Sequence, residues 1–156
     1  MKILGINETT HDASISLIED GKILFAGHAE RYSKQKNEWF TNDQLIDDAL
    51  SYGKPDQIAY YENRWLKKLR ISTYGGFGGG KPYYLERNDL KWIPRRNFSH
   101  HESHAAAGYY TSKFDDAVIV VLDAIGEYNT STIWVGNNNK IKLVKKYNYP
   151  FSFGLF

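Results

Sequence analysis

The chain contains no cysteine. That excludes a disulfide framework, thiolate metal ligands and a thiol nucleophile. It also lacks any apolar run approaching the ~20 residues of a membrane-spanning helix, so no span and no membrane partner are expected. Charge of one sign is scarce: a formal net charge of +2 and a pI of about 8.6 are too mild for a nucleic-acid-binding surface. The opening "MKILGINETT" has neither the apolar core nor the cleavage site of a signal peptide, so a cytoplasmic location is expected. At 156 residues there is room for one domain with a real core, or for part of a larger one. What is present in excess is tyrosine, with 12 residues, and a cluster of histidine: three of the five fall at His100, His101 and His104.

Apolar patterning divides the chain into two similar halves. "KILGIN" is a short apolar strand, and "ASISLIED" alternates, with Ile15 and Leu17 on one face. The pair Asp20-Gly21 then signals a hairpin into "KILFAGHAER". "TNDQLIDDALSYG" reads as a helix capped by Thr41 or Asn42, with Leu45, Ile46, Ala49 and Leu50 inward and Gly53 as its stop. "DQIAYYE" reads as a short strand, and residues 63–90 as a long loop or partly ordered insertion. The second half repeats the plan: the strand "DAVIVVLDA", the strand "TSTIWVG", an Asn turn, and the lysine-led strand "KIKLVKKYNY". Internal repeats outrank single motifs in reading a fold. Two such units joined through a helix resemble the actin-like ATPase (RNase H-like) superfold, an α/β architecture of mixed sheets flanked by helices. That resemblance implies two turns holding the phosphates of a nucleotide, and with it ATP and Mg. On this plan residues 1–115, including a helix over 99–112, form a first lobe, and 116–156 begin a second.

"GGFGGGK" at 75–81 approaches a phosphate-binding loop. Pro82 stands where the metal-binding hydroxyl should be, and it has no N–H to offer a phosphate. The glycine-rich stretch over 72–84 therefore reads as a flexible loop of unassigned role.

Ser99 and Glu102 have the S-x-x-E spacing of a capping box, which starts a helix at His100. His100 and His104 then share a face, and His101 points elsewhere. Two readings stand: the pair chelates a divalent metal, or polar residues decorate a helix start. The positive end of the helix dipole disfavours protonated histidine and favours the neutral form a metal needs. Asp123 ends an apolar strand, where α/β folds present ligands, although it also suits a plain turn. In the turn after the first strand, Asn7, His11 and Asp12 are candidates for ligand contact. Of these, His11 is the best placed to handle a proton, and a plain turn histidine is the alternative.

Several ordered motifs carry a resemblance over nearly the whole chain. They are Gly5 and Asn7 with His11-Asp12-Ala13-Ser14, the Asp20-Gly21 turn, "AERYSKQK", "HHESHAAAGYY" and "DAIGE". Together they resemble the O-carbamoyltransferase family of NodU and tobramycin carbamoyltransferase. Departures are mild: Ala29 in an acidic pair, Ala124-Ile125 in place of Gly-x, and Gly108 where alanine is usual. The resemblance implies conversion of carbamoyl phosphate and ATP to carbamoyl adenylate, then transfer of the carbamoyl group to a substrate hydroxyl. It implies a metal, Fe(II) ahead of Mn(II) or Zn(II), held by His100, His104 and Asp123. The histidine spacing also matches the H-x-E-x-H motif of the tRNA threonylcarbamoyl-transferring metalloprotein. It further implies nucleotide or phosphate contacts at Asn7, Gly126 and Glu127, and catalytic roles for His11 and Asp12.

Family members are several times longer, ending in a YrdC-like domain that makes the adenylate. This chain is therefore expected to need a missing C-terminal portion or a partner chain, and to show no carbamoyl transfer alone. A non-catalytic nucleotide- and metal-binding module, or a partner subunit, is the alternative. A sugar-kinase-like phosphotransferase fits less well, because it has no use for the histidine pair. The acceptor and the oligomeric state are not legible.

Overall fold

A computed structural model describes residues 1–75 and 80–155, leaving aside the side chains of Arg70 and Tyr74. The chain is mixed α/β and divides into two compact units: Met1–Tyr61 with Gly76–Asn97, and Glu62–Gly75 with Phe98–Phe156.

In the first unit, β1 (Lys2–Asn7), β2 (Ser14–Glu19) and β3 (Lys22–His28) form an antiparallel meander. Asp20 (φ 48°) and Gly21 (φ 83°) make the turn between β2 and β3 with positive φ at both positions, as a type I′ hairpin requires. After α1 (Glu30–Ser33) and α2 (Asp43–Leu50), β4 (Gln57–Tyr60) and β5 (Arg95–Asn97) add parallel strands, giving the order β3-β2-β1-β4-β5. Asn42 caps α2 by accepting the Leu45 N–H at 3.0 Å. The apolar face that follows, Leu45, Ile46 and Ala49, is buried with Leu4, Ile6, Ile15, Leu17 and Ile58 in one core. Burying each such aliphatic side chain stabilises the fold by roughly 1.5–3 kcal/mol.

The second unit repeats the meander. β6 (Asp116–Gly126), β7 (Asn129–Asn137) and β8 (Lys140–Asn148) are antiparallel in the order β6-β7-β8, with Asn138 (φ 54°) in the second turn. α4 (His100–Tyr110) packs on this sheet, with Ala105 against Val121 and Trp134. Gly136 leaves room for the Tyr109 ring, whose hydroxyl donates to the carbonyls of Asp115 (2.5 Å) and Asn138 (2.7 Å).

Two expectations need correction. The helix assigned to the first lobe by a boundary after residue 115 belongs with β6–β8, because its small residues close on that sheet. The segment 63–90, expected as a loop, contains α3 (Arg64–Tyr74) and a 3-10 turn at Tyr83–Glu86. Asn63 starts α3 by accepting the N–H groups of Trp65 and Leu66, and Leu, Lys and Arg are good helix formers. Residues 76–79, the centre of the glycine-rich stretch expected to be a flexible loop, lie outside the described residues. Among the described residues no helix is long and apolar enough to cross a membrane.

Candidate functional site

The helix start behaves as the S-x-x-E spacing expects. Ser99 Oγ accepts the Glu102 N–H at 3.3 Å, and Glu102 Oε2 accepts the Ser99 N–H at 3.5 Å. This capping box fixes the register, so His100 and His104 stand one turn apart with their Nε2 atoms 3.1 Å from each other. Asp123, on β6, brings Oδ2 to 2.9 Å from His100 Nε2, while its Oδ1 accepts the Ala124 N–H at 2.7 Å. One ligand atom from each of His100, His104 and Asp123 lies within 4.8 Å of the others.

The protons around this point are too few for its acceptors. If His100 Nε2–H donates to the carboxylate, the lone pair of His104 Nε2 meets the same hydrogen. Three donor atoms then converge on one proton, an arrangement that a divalent cation satisfies better. Protonation states favour the same outcome. The hydrogen bond from His100, followed by its charge, holds the Asp123 carboxyl down at about 2 despite partial burial. Burial, reinforced by the neighbouring His100, lowers the His104 imidazole and keeps it neutral. Two imidazoles and a carboxylate suit Fe(II), Mn(II) or Zn(II) alike, so the residues present fit the implied metal.

His101 faces away from the pair, as its register requires, into the core. It is fully buried, with Nδ1 2.9 Å from Thr132 Oγ1, and burial lowers its imidazole as well. Gly126 lies beneath the cluster. A Cβ there would fall 2.6 Å from His100 Cδ2, 2.7 Å from His101 Cδ2 and 3.0 Å from Asp123 Oδ2.

Glu127 departs from its expected role at a phosphate. At φ 59° its buried carboxylate turns inward, accepts the Asn63 N–H at 2.6 Å and takes a second bond from the His100 backbone. It braces the starts of α3 and α4, and desolvation raises its pKa. A carboxylate so engaged offers a phosphate nothing but repulsion. Close by in sequence, Glu62 and Lys67 form a buried ion pair at 2.7 Å.

In the first unit, the turn after β1 gathers Asn7, His11 and Asp12. Asn7 Nδ2 donates to the Asp12 carbonyl at 3.0 Å, and His11 Nδ1 lies 2.6 Å from Asp12 Oδ2. The His11 side chain is 76% exposed. Asn7 Oδ1 is a buried acceptor without a hydrogen-bond partner among the described residues.

Sequence reading missed Glu8. It is fully buried, and its Oε2 accepts the Thr41 N–H (3.2 Å) and Oγ1–H (3.0 Å) while Oε1 accepts the Tyr84 N–H (3.4 Å). Desolvation outweighs these bonds and raises its pKa. The signal was available in the repeat: "INE" closes the first strand as "IGE" closes its counterpart.

Comparison with known proteins places these features. An uncharacterised protein of Synechocystis is 27% identical over 98% of this chain and 30% of its own length. One of Methanocaldococcus jannaschii is 29% identical over 99% of this chain and 28% of its own. Nodulation protein NolNO of Sinorhizobium fredii is 27% identical over 96% of this chain and 25% of its own. The chain thus spans under a third of the length of the curated relatives it matches. Among solved structures, a Ppx/GppA family member of Aquifex aeolicus aligns over 97% of this chain and 52% of its own, at 13% identity and a TM-score of 0.44. That likeness is too distant to bear on the site. Residues 61–156, which hold the histidines, Asp123, Gly126 and Glu127, match the model of the carbamoyltransferase N-terminus, and the chain belongs to that family.

Proposed function

We propose that this chain is the N-terminal part of an ATP- and metal-dependent O-carbamoyltransferase of the NodU and tobramycin type. It moves a carbamoyl group from carbamoyl phosphate, through carbamoyl adenylate, to a substrate hydroxyl. The observation that carries this reading is the convergence of His100, His104 and Asp123 inside the segment that matches the family. The repeated meander supports the actin-like plan, in which each unit supplies one turn to the nucleotide.

His100 and His104 would hold the metal through Nε2 and Asp123 through its carboxylate. When bound, the metal supplies positive charge to anchor and polarise phosphate or carbonyl oxygens. The remaining chemistry belongs to the turn after β1. His11 Nδ1–H donates to Asp12 Oδ2, which leaves the Nε2 lone pair facing outward. An imidazole held in that tautomer by a carboxylate takes the proton of an attacking hydroxyl. Asn7 steadies the pair by holding the Asp12 carbonyl. Its free Oδ1 suits a donor such as the carbamoyl –NH2.

The test is transfer of isotope-labelled carbamoyl from carbamoyl phosphate to a panel of hydroxyl compounds by the intact protein. ATP-dependent labelling is expected, and His11→Ala should slow transfer by about 10²–10⁴-fold. Absence of ATP-dependent labelling in the intact protein overturns the reading.

A further inference from the structure

We propose that His101, which supplies no ligand, is the positioning residue of the metal centre: its Nε2–H fixes the orientation of the Asp123 carboxylate. This rests on the metal reading of His100, His104 and Asp123. The argument runs through protons that have only one place to go.

Trp134 Nε1–H can only donate, and it donates to Thr132 Oγ1 at 2.8 Å. Thr132 is buried, and His101 Nδ1, at 2.9 Å, is the other polar atom its hydroxyl meets among the described residues. A buried hydroxyl hydrogen must find an acceptor, so it points at Nδ1. Nδ1 is therefore the acceptor, and the ring proton sits on Nε2. His101 cannot lend Nε2 to a metal in this tautomer. What it presents is a fully buried N–H with no hydrogen-bond partner among the described residues, 3.9 Å from Asp123 Oδ2. The Asn129 carbonyl also lies near the ring. Of these two acceptors the carboxylate carries the charge, and charged acceptors make the stronger bond.

The consequence falls on Asp123. Its Oδ1 is held by the Ala124 N–H, and its Oδ2 faces the His101 N–H from one side and His100 Nε2 from the other. A carboxylate clamped at both oxygens has one orientation left, with a lone pair toward the histidine pair. Outer partners of this kind set ligand orientation and basicity at metal sites.

The experiment titrates the intact protein with Co(II), following the visible d–d bands. Wild type is compared with His101→Leu, His101→Gln, Thr132→Val and the double variant His100→Ala/His104→Ala. Leucine fills the space without the N–H, and Co(II) affinity should fall about 10–100-fold, with altered d–d bands. Glutamine returns an N–H near the ε position and should restore both affinity and spectrum. Thr132→Val frees the tautomer and should weaken binding without removing the ring. Near-UV circular dichroism and thermal melts report folding, and if the leucine variant does not fold, the glutamine and valine variants decide. Wild-type affinity and bands in His101→Leu overturn the proposal. So does a folded glutamine variant that binds as weakly as the leucine one, because the residue then serves packing alone. If wild type and the double variant take up Co(II) equally, the metal reading itself fails, a result distinct from either of these.

Discussion

The turn after β1 and the turn after β6 begin alike and then diverge. Each first strand of a meander runs into a glutamate, Glu8 or Glu127, whose carboxylate folds inward onto backbone N–H groups. After Glu8 the chain spends five further residues before β2, and in them it displays His11 and Asp12 to solvent. After Glu127 only Tyr128 intervenes before β7, and the titratable side chains come instead from within β6 and from α4. The shared glutamate is a structural brace in both units, fastening neighbouring elements to the end of the strand. Chemistry is added in the part that differs. A long turn yields an exposed imidazole for proton traffic, and a short one leaves room for a ligand cluster backed by a helix.

Substitutions can break this comparison or sharpen it. The largest effect is expected at Gly126, which has no counterpart next to Glu8, where Asn7 stands. Gly126→Ala presses on both histidine rings and the Asp123 carboxylate together. Metal affinity should drop about a hundredfold, and urea unfolding should show about 1–3 kcal/mol lost to overpacking. Next come the two braces. Glu8→Ala orphans the Thr41 and Tyr84 N–H groups in a fully buried place and should lose about 3 kcal/mol; Glu127→Ala should lose about 2 kcal/mol. Only the second should also weaken metal uptake, because only Glu127 touches the backbone of His100. Equal effects of the two on metal titration would break the division of labour.

A smaller effect concerns pH. Burial raises the Glu8 carboxyl above its ordinary 4.5, so the folded chain holds that proton more tightly than the unfolded one. The contribution to stability is therefore full below pH 4.5 and is lost as pH rises through the folded value. Urea midpoints measured from pH 4.5 upward should fall less steeply in Glu8→Gln than in wild type. The smallest change is expected from His11→Ala, whose exposed ring contributes under ~0.5 kcal/mol to folding, despite its large expected effect on transfer.

Much of this was legible in the sequence, and the reasons are local. Ile15 and Leu17 alternate with polar residues and are buried as the period of two requires. Ser99 and Glu102 announced the start of α4, and with it the shared face of His100 and His104. The repeat showed the two meanders. What stayed hidden depended on contacts between distant residues. His101 looked idle because its partner Thr132 is 31 residues away. Glu8 sits in a polar turn, where hydrophobic periodicity predicts exposure, and the N–H groups that justify its burial come from positions 41 and 84. The helix α3 offers no buried apolar stripe to detect, since Trp65 and Leu69 are exposed, and β5 is the three-residue polar edge "RRN".

One further consequence follows from Trp134. Of the four tryptophans, Trp65 and Trp92 are more than 80% exposed and Trp39 39%, whereas Trp134 is buried. Its indole hydrogen bond is the far end of the chain that runs through Thr132 and His101 to Asp123. The blue edge of the native fluorescence therefore comes from the residue wired to the candidate metal centre, and the red edge from rings in water. A change in cation occupancy should register as a selective shift or quench at short emission wavelengths. The protein thus carries an optical readout of its own site, with no label attached.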